Sequence, residues 1–531
     1  MKVAVIGAGP AGLAFSKELS EAGQDVVCFE GADRVGGVFA RPYDGARLTS
    51  SNLVTPFSDF RDQREGRATI WDFEQYTDYL NDYADHFELR DHIRFNTKVT
   101  RIRPRTDNLD DGLVVTSESV DGGSTEEQFD RVAICTGSQQ VRAMPDWPGL
   151  DEFEGEVLHS LDFVKAERFA GKRVLVVGGG ESGSDIALEV ARVAAASGVC
   201  LRGHTGHIVW RNLSDLEDGA PNRGASDVDT SRAHHSLPHW YGPIIASARL
   251  TSQKALDGPA NAVLEKIAEI NLEQGTSALT KFGLKNASMV RAIVHYGTRR
   301  FPGIERFTRD RVVFVDGQEF ECDHVICATG YTVAFPALEE SFPVPAKDAR
   351  MPRQHLYKHV IHPDLGTAVV WGGYARPAFG AIPPLAEMQA RWFALLCRGE
   401  LELPSPDKMR EVIAADNARA MKQFPDDAPR LSTLTDFLRL LDDLAGFIGC
   451  RPPQRLMLTD RALWRKIMLG PITGAQFRLR GPGAQPELAR ESLRRTPVLP
   501  EADAYIRAMI KFKLASLVPW IGRRYRLNST W

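Results

Sequence analysis

Three glycines spaced as G-x-G-x-x-G follow the first apolar run of the chain, and this spacing is typical of a turn that binds a dinucleotide. The segment VAVIGAGPAGLAFSKELSEAGQDVVCFE has the pattern of a strand, the glycine turn, a helix and a second strand. Gly7 permits the tight turn, Gly9 lets the backbone approach a pyrophosphate, and Gly12 packs the helix against the strand. Glu30 lies 18 residues after Gly12, where its carboxylate can accept a hydrogen bond from a ribose hydroxyl. We therefore expect a dinucleotide at this turn.

The same unit recurs at RVLVVGGGESGSDIALEVARVAAASGVCLRG, with Gly178, Gly180 and Gly183 in the turn. Its second strand ends near cations instead of an acid, because Arg202 lies 19 residues past Gly183 and Arg211 follows. A carboxylate at this place would repel a ribose 2′-phosphate, whereas arginine binds it through charge-assisted hydrogen bonds. The pattern predicts NADPH at the second turn and FAD, whose ribose carries no phosphate, at the first. Solvated surface arginines are the alternative.

Two weaker patterns also favour nucleotide binding. The segment GADRVGGVF follows Glu30, and its Gly36 and Gly37 can bring backbone close to the first cofactor. DRVAICTGS and DHVICATGY are apolar strands that each end in [AC]-T-G, the second at Gly330. They occupy matching positions in the two units, and we expect each of these glycine turns to pass near a ligand.

The two units define the predicted organisation of the chain. At 531 residues it is too long for one core. The predicted fold class is α/β, with two Rossmann-like dinucleotide-binding domains and a mostly helical C-terminal region. The predicted divisions are the first part of the FAD domain at 1–165, the inserted NADPH domain at 166–330 with a helical insert at about 214–290, the return of the FAD domain at 331–450, and a C-terminal region with a basic amphipathic tail at 451–531.

Composition excludes several classes of protein. The net charge of −4 gives no reason to expect nucleic acid as a partner. The seven cysteines are odd in number and form no C-x-x-C, which predicts buried thiols in a reducing compartment. Cys322 and Cys327 are the closest pair, but their apolar strand favours packing over redox chemistry. No apolar run of about 18 residues occurs, and the first strand begins so early that we expect no signal peptide. The prediction is a cytoplasmic protein.

Two features remain outside this pattern. His234, His235 and His239 lie near Trp240, but Pro238 interrupts the run and no carboxylate or cysteine is close by, so we expect no metal. The tail YIRAMIKFKLASLVPWIGRRYRLNSTW is basic and aromatic. This tail could contact an anionic membrane surface or pack on the body of the protein, and both interpretations stay open. A homo-oligomer also stays open for the protein as a whole.

The segment between the two units carries a resemblance to a known family. Phe153-x-Gly155-x-x-x-His159-x-x-x-Phe163 matches the fingerprint F-x-G-x-x-x-H-x-x-x-[FY] of the flavin-containing monooxygenases. TSSNLVTPFSDF, GGYARPAFGAIPPLAEMQARW and LGPITGAQFRLRGPGAQ resemble further segments of that family in the same order, so the likeness spans nearly the whole chain. In the related Baeyer–Villiger monooxygenases the fingerprint ends in tryptophan. Phe163 stands there, which favours oxygenation of a heteroatom.

This resemblance implies a reaction and two site residues. NADPH would reduce FAD, O2 would add to form a flavin C4a-hydroperoxide, and a small nucleophile, an amine or a sulfide, would take one oxygen atom. The resemblance places Asn52 at the flavin as the catalytic contact, and a turn residue is the alternative there. We expect His159 and its flanking aromatics to brace the two domains against each other, with a plain linker histidine as the alternative. Ketone oxidation of the Baeyer–Villiger type, a flavin reductase or NADPH oxidase, and a nucleotide-binding sensor stay open.

Overall fold

The structure is a computed structural model of the chain. It describes residues 1–61, 68–139, 141–203, 206–222, 224–237, 259–274, 283–342, 355–425, 433–499 and 502–516. The strands are β1 (Lys2–Ile6), β2 (Asp25–Phe29), β3 (Ile93–Arg94), β4 (Thr97–Pro104), β5 (Leu113–Ser119), β6 (Ser124–Phe129), β7 (Arg131–Ile134), β8 (Val141–Arg142), β9 (Glu156–His159), β10 (Arg173–Val177), β11 (Ala196–Cys200), β12 (His207–Val209), β13 (Gly283–Lys285), β14 (Arg299–Phe301), β15 (Ile304–Phe307), β16 (Arg311–Phe314), β17 (Glu319–Glu321), β18 (His324–Cys327), β19 (Tyr331–Thr332), β20 (Val369–Trp371), β21 (Arg376–Pro377) and β22 (Leu434–Thr435).

The helices alternate with these strands in the first two thirds of the chain and dominate the last third. They are α1 (Pro10–Glu21), α2 (Phe73–His86), α3 (Glu181–Val193), α4 (Arg232–His235), α5 (Pro259–Glu273), α6 (Ser288–Tyr296), α7 (Ile382–Cys397), α8 (Pro406–Gln423), α9 (Phe437–Ile448), α10 (Leu456–Thr459), α11 (Arg461–Leu469), α12 (Pro486–Arg495) and α13 (Asp503–Ser516). Short 3-10 turns connect several of them.

Two parallel sheets of five strands organise the described residues. The strand order is β20-β7-β1-β2-β3 in the first sheet and β14-β11-β10-β18-β9 in the second. β1 and β10 are apolar and almost fully buried, which is the pattern of parallel strands covered by helices on both faces. α1 connects β1 to β2, and α3 connects β10 to β11, each pair of strands being parallel. The predicted α/β class with two Rossmann-like units is confirmed.

The two halves repeat one order of elements. An antiparallel meander, β4-β5-β6 in the first half and β15-β16-β17 in the second, precedes the strand that returns to the sheet. The returning strands β7 and β18 pair with β1 and β10. Because β1 and β10 lead into the glycine turns, the two segments that end in [AC]-T-G lie beside those turns.

The boundary between the halves differs from the predicted one. Glu156–His159 forms β9, which pairs in parallel with β18 at the edge of the second sheet. The fingerprint segment therefore belongs to the second half, and this half begins before residue 156 and not near residue 166. The reason is long-range: β9 has its partner more than 160 residues later in the chain, from His324 to Cys327.

The later segments complete the first half. β20 joins the first sheet beside β7, and α7 is buried along nearly its whole length and packs on α1. The described part of the predicted insert contains α4, α5 and β13 together with the start of α6, so it is only partly helical. The described residues beyond 451 contain helices α10 to α13. No helix in the described ranges has both the length and the apolar character of a membrane span.

Five buried charged side chains join α1 to the C-terminal region, and we call them the Arg478 network: Lys17, Glu18, Asp59, Glu387 and Arg478. The Arg478 guanidinium donates to Glu18 at 2.5 Å and to Glu387 at 2.7 Å. It also donates to Asp59 at 2.9 Å, and Lys17 Nζ contacts the same carboxylate. The three segments that carried the family resemblance, around Asp59, Glu387 and Arg478, therefore meet at one place.

Charge balance keeps Asp59 and Lys17 of this network ionised. Burial by itself would raise the pKa of Asp59, but Arg478 and Lys17 outweigh it and hold that pKa below its usual value. Glu18 and Asp59 likewise outweigh burial and raise the pKa of Lys17. The three carboxylates lie close enough together to hold a metal ion, but the two cations already occupy them. Removal of one cation would leave uncompensated buried charge, which costs more than the pair contributes when intact.

We expect Arg478→Met to destabilise the protein by roughly 3–5 kcal/mol, because it leaves three buried carboxylates with one cation. Urea unfolding followed by tryptophan fluorescence measures the change. Arg480→Met is the matched control, since Arg480 is exposed and donates only to the Arg451 carbonyl among the described residues. Its expected loss is below about 1 kcal/mol. Equal losses in the two variants would contradict the assigned role of the network.

Candidate active site

The first glycine turn contains two glycines that the fold itself requires. Gly7 directly follows β1 with φ +101°, and a Cβ there would lie 2.9 Å from the Cys135 carbonyl oxygen. A Cβ at Gly12 would lie only 1.7 Å from the Gly7 carbonyl oxygen. These positions accept glycine alone because strand, helix and returning segment lie in contact there.

Gly9 is glycine for a different reason. Its backbone has φ −75° and ψ −177°, an extended conformation open to any residue. A Cβ there would make only ordinary contact, 3.6 Å from Gly37 Cα. Neither strain nor packing demands glycine at this position, which fits the prediction that a ligand approaches the backbone at Gly9. Because Gly9 caps α1 without a side-chain hydrogen bond, the first N–H groups of that helix are available to a pyrophosphate.

The predicted flavin-side residues come together around this turn. Gly36 N–H donates to the Ala8 carbonyl at 3.0 Å, and Gly37 lies against Gly9. Glu30 Oε2 accepts from the Ala8 N–H at 2.7 Å, which docks the carboxylate on the turn. The structure thus brings the predicted residues to one edge of the first sheet. The contact of Glu30 with a ribose stays a prediction.

The second turn repeats the same division of roles. A Cβ at Gly178, which has φ +114°, would lie 2.4 Å from the Ala328 carbonyl oxygen, and one at Gly183 would lie 2.1 Å from the Gly178 carbonyl oxygen. Gly180 has φ −79° and ψ −175°, and nothing lies within 4 Å of its Cβ position. Gly180 also caps α3 without a side-chain hydrogen bond. The residues present fit a second dinucleotide as they fit the first.

The two predicted phosphate-binding arginines differ in the structure. Arg202 is exposed just beyond the end of β11, and its role stays a prediction. Arg211 is buried, with its guanidinium donating to Asp185 at 2.6 Å and to Asp215 at 3.1 Å. The charge of Arg211 is therefore already compensated inside the second half, and its contact with a ribose 2′-phosphate stays a prediction. The aspartate four residues later was the sequence signal for this ion pair.

Asn52 lies in the loop before α2 and is almost fully buried. Its Oδ1 accepts from the Thr69 N–H at 2.9 Å, and its own N–H donates to the Thr69 carbonyl at 2.9 Å. This reciprocal pair fixes the backbone at Asn52 and the orientation of its carboxamide oxygen. A cavity borders the loop, lined by Asn52, Leu53, Phe57 and Arg61 on one side and by Thr473, Gly474, Ser492 and Arg495 on the other.

The two crossings of the chain between the halves lie side by side as β8 and β19, which pair in an antiparallel arrangement. His159 fixes them. Its Nδ1 accepts from the Leu161 N–H at 3.2 Å, so Nε2 carries the proton and donates to the Gly330 carbonyl at 3.0 Å. The ring meets Tyr331 edge to face at 5.0 Å. Burial lowers the pKa of His159, which keeps this donor neutral near pH 7.

We call this connection the joint: the paired strands β8 and β19 with His159. The aromatic residues of the fingerprint lie on both sides of the joint. Phe163 contacts Tyr43 of the first half at 6.1 Å and Phe169 of the second half at 5.9 Å between ring centroids. Phe153 packs inside the second half, and Gly155 passes so close to it that a Cβ would lie 2.4 Å from the ring. The spacing of the fingerprint is explained by these contacts.

Sequence reasoning missed a polar contact across the same joint. Asp44 accepts from the Ala166 N–H and from Lys165 Nζ, each at 2.9 Å. Neither motif nor periodicity marked Asp44, because its partners lie about 120 residues away in the chain.

The cysteines are buried, as the sequence predicts. Part of the histidine group lies outside the described residues. All seven cysteines are buried free thiols. Burial raises the pKa of Cys322 to about 12 and that of Cys327 to about 11, so both stay protonated. His234 stacks on Tyr505 at 5.2 Å. His239, Trp240 and the last fifteen residues, which include most of the basic tail, lie outside the described residues.

Known proteins are similar to this chain along nearly its whole length. The family model described as flavin-binding monooxygenase-like matches residues 1–496. A 4-hydroxybenzoate brominase (decarboxylating) of Pseudoalteromonas luteoviolacea is 34% identical over 99% of this chain and 98% of its own. Flavin-containing monooxygenase 5 of Oryctolagus cuniculus is 31% identical over 91% of this chain and 89% of its own. The solved S-allyl-L-cysteine S-oxygenase from Allium sativum has the same fold, with a TM-score of 0.60, 21% identity, and coverage of 96% of this chain and 98% of that one.

The room at Gly180 gives a direct test of the second turn. We expect Gly180→Ala to fold normally and to keep its flavin. NADP+ should bind it roughly ten- to a hundredfold more weakly, because the added Cβ keeps the NADP+ pyrophosphate from a hydrogen bond with the N–H groups at the start of α3. Calorimetric titration with NADP+ measures the change. Gly183→Ala should instead lower the unfolding temperature, because its Cβ meets backbone. Unchanged NADP+ affinity in Gly180→Ala would contradict the ligand role of this turn.

Proposed function

This chain belongs to the flavin-binding monooxygenase-like family, and on that premise we propose that it transfers one oxygen atom of O2 to an amine nitrogen or a sulfide sulfur. It is a flavoprotein monooxygenase with FAD and NADPH as cofactors. Its substrates are O2 and a small molecule. The observation that carries the proposal is the pair of glycine turns, each with room kept for a dinucleotide, and the joint that connects them.

In this proposal the first turn holds FAD. The N–H groups at the start of α1 face the pyrophosphate, and Gly9 and Gly37 let the backbone come close to it. The Glu30 carboxylate accepts hydrogen bonds from the Ala8 and Ala32 N–H groups and still has lone pairs that can accept from a ribose hydroxyl. FAD, when bound and reduced, supplies the centre at which O2 is activated.

The second turn holds NADPH in the same proposal. The N–H groups at the start of α3 face its pyrophosphate, and Gly180 leaves the approach open. Arg202, exposed at the end of β11, binds the ribose 2′-phosphate. The NADPH unit then spans the chain between β8 and β19, so its limits are set by the paired crossings and not by the predicted residue 166.

Asn52 is the proposed catalytic contact. Its Oδ1 accepts from the Thr69 N–H. In this proposal the N–H donors of the same carboxamide serve the reacting oxygen or NADP. A carboxamide donates without adding charge and resists oxidation, which suits a site that must hold activated oxygen away from water. His159 supports this contact indirectly. Its hydrogen bond to Gly330 holds the two halves, and hence the two cofactors, in a fixed relative position.

A second candidate nucleophile is bromide. The observation that favours it is the 34% identity to a brominase, which extends over 99% of this chain, whereas the animal monooxygenase matches 91%. Bromide is a soft anion, and oxygen transfer to it gives hypobromite, which brominates electron-rich phenols. The same cofactors and the same Asn52 would serve both reactions, so product analysis must separate them.

The test supplies NADPH and O2 with, in turn, a thioether, a tertiary amine, a cyclic ketone, and bromide with a phenol. We expect about one oxygenated or brominated product per NADPH in the wild type. Asn52→Ala and Asn52→Asp should still oxidise NADPH but release mostly hydrogen peroxide, a loss of roughly ten- to a hundredfold in product per NADPH. Mass spectrometry of the products and a peroxide assay give both numbers.

The two Asn52 variants control for each other. Asp retains the acceptor for the Thr69 N–H and so keeps the loop attached, but it lacks the N–H donors; Ala lacks both. If both variants release the same fraction of hydrogen peroxide per NADPH, the effect is due to loss of the Asn52 N–H donors. Full coupling in either variant would refute the catalytic role of Asn52, and product from the ketone alone would replace the proposed function by Baeyer–Villiger oxidation. Peroxide as the sole product of the wild type would identify an NADPH oxidase.

The joint is tested separately through His159. We expect His159→Ala to slow flavin reduction by NADPH roughly ten- to a hundredfold, because loss of the Gly330 contact lets the two halves shift. Anaerobic mixing with NADPH, followed by flavin absorbance, measures this rate. His295→Ala serves as the control, since His295 is exposed at the end of α6. The bracing role fails if His159→Ala reduces its flavin as fast as the wild type.

A further inference from the structure

The cavity beside Asn52 is small and contains two cationic side chains. Arg61, which closes the loop that carries Asn52, and Arg495, the last residue of α12, both line it. Its volume is about 30 Å³, which is enough for a group of a few atoms and too little for an aromatic ring. A ligand of this cavity is therefore a small ion or one small end of a larger molecule.

A carboxylate of the protein already contacts both arginines. Glu491 Oε2 lies 3.3 Å from Arg61 Nη2, and Glu491 Oε1 lies 2.7 Å from Arg495 Nη2. The two guanidiniums are therefore close enough together to hold one singly charged anion between them. The Glu491 side chain is 51% exposed. An ion pair with so exposed a carboxylate is weak, so another anion can take the place of Glu491.

A buried hydroxyl in the lining indicates the same kind of ligand. Thr473 lines the cavity and is only 7% exposed. Its Oγ1 is buried and has no hydrogen-bond partner among the residues that the structure describes. A buried polar group that lacks a partner costs free energy. An anion in the cavity would accept a hydrogen bond from this hydroxyl and remove that cost.

We propose that this cavity binds a small monovalent anion between Arg61 and Arg495, and that the anion belongs to the substrate, as the carboxylate of an organic nucleophile or as a free halide. The proposal rests on the proposed function, in which Asn52, a residue of the same cavity, contacts the reacting oxygen or NADP. A bound carboxylate would anchor the molecule whose sulfur or nitrogen is oxygenated. A bound halide would itself be the nucleophile.

Binding is tested without turnover. The protein is loaded with FAD and saturated with NADP+, so that the N-termini of α1 and α3 do not compete as anion sites. Chloride is the probe, and the broadening of its NMR line at constant ionic strength reports how much is bound. Arg61→Met and Arg495→Met each remove one guanidinium. Arg494→Met is the matched control, because Arg494 is an exposed neighbour on α12 that pairs with Asp460 at 3.9 Å.

We expect chloride to bind roughly three- to tenfold more weakly to Arg61→Met and Arg495→Met, and with wild-type affinity to Arg494→Met. Glu491→Gln should bind chloride roughly threefold more tightly, because it removes the competing carboxylate. Arg495→Met decides alone if Arg61→Met folds poorly, since the Arg495 side chain is exposed.

Two results would overturn the anion site. One is wild-type chloride affinity in every arginine variant that folds. The other is equal or weaker chloride binding to Glu491→Gln, because Glu491 would then hold the arginines in place and would not compete with a ligand.

Kinetics separate the two sources of the anion. The charged thioether is methylthioacetate, its neutral match is methylthioacetamide, and the halide arm is bromide with a phenol. For a substrate carboxylate, we expect Arg61→Met and Arg495→Met to raise the KM of methylthioacetate roughly tenfold and to leave that of the amide unchanged. For a halide, the KM of bromide should rise instead, with both thioethers unchanged.

The substrate role and the proposed function fail in different ways. Unchanged KM values for all three compounds would overturn the substrate role. So would chloride that neither methylthioacetate nor bromide displaces, which would be an adventitious ion only. If the wild type forms no oxygenated or brominated product, the proposed function fails, and the chloride titration still decides whether the cavity binds an anion.

Discussion

The loop that carries Asn52 is held at both ends by buried carboxylates from other parts of the chain. At the far end the Ser58 N–H donates to Glu387 on α7, and at the near end the Ser51 N–H donates to Asp227. A buried carboxylate is stable only while its cations and donors are in place. The loop, the helix and the insert therefore constrain one another, and these contacts add to the pair that Asn52 itself makes with Thr69.

Packing and polar contacts have different tasks in this molecule. The sheets, the paired crossings β8 and β19 and the aromatic contacts of Phe163 bury apolar surface and supply most of the stability. The polar contacts fix orientation: His159 on Gly330 at the joint, and Arg211 inside the second half. At the first turn the fold would accept a side chain at Gly9, which fits the proposed approach of a dinucleotide to the backbone there.

The sequence predicts local features well, because spacing within one unit reports them. Both glycine turns, the parallel strands and the buried cysteines follow from patterns of a few residues. Features with distant partners do not follow in this way. Neither β9 at the edge of the second sheet nor the Arg478 network is visible locally, since the partners lie hundreds of residues apart. The ion pair between Arg211 and Asp185 is a further example, because only the fold shows Asp185 beside this arginine.

In the proposed function, the joint brings an NADPH bound at the second turn to a flavin bound at the first. Anaerobic mixing of the FAD-loaded protein with NADPH, followed by flavin absorbance, measures whether the two bound cofactors react. We expect NADPH to bleach the visible absorbance of the oxidised flavin, and O2 with a thioether to restore it with one sulfoxide formed per NADPH. A flavin that stays oxidised while NADPH is bound would contradict the proposed function, because the two sites would then not serve one reaction.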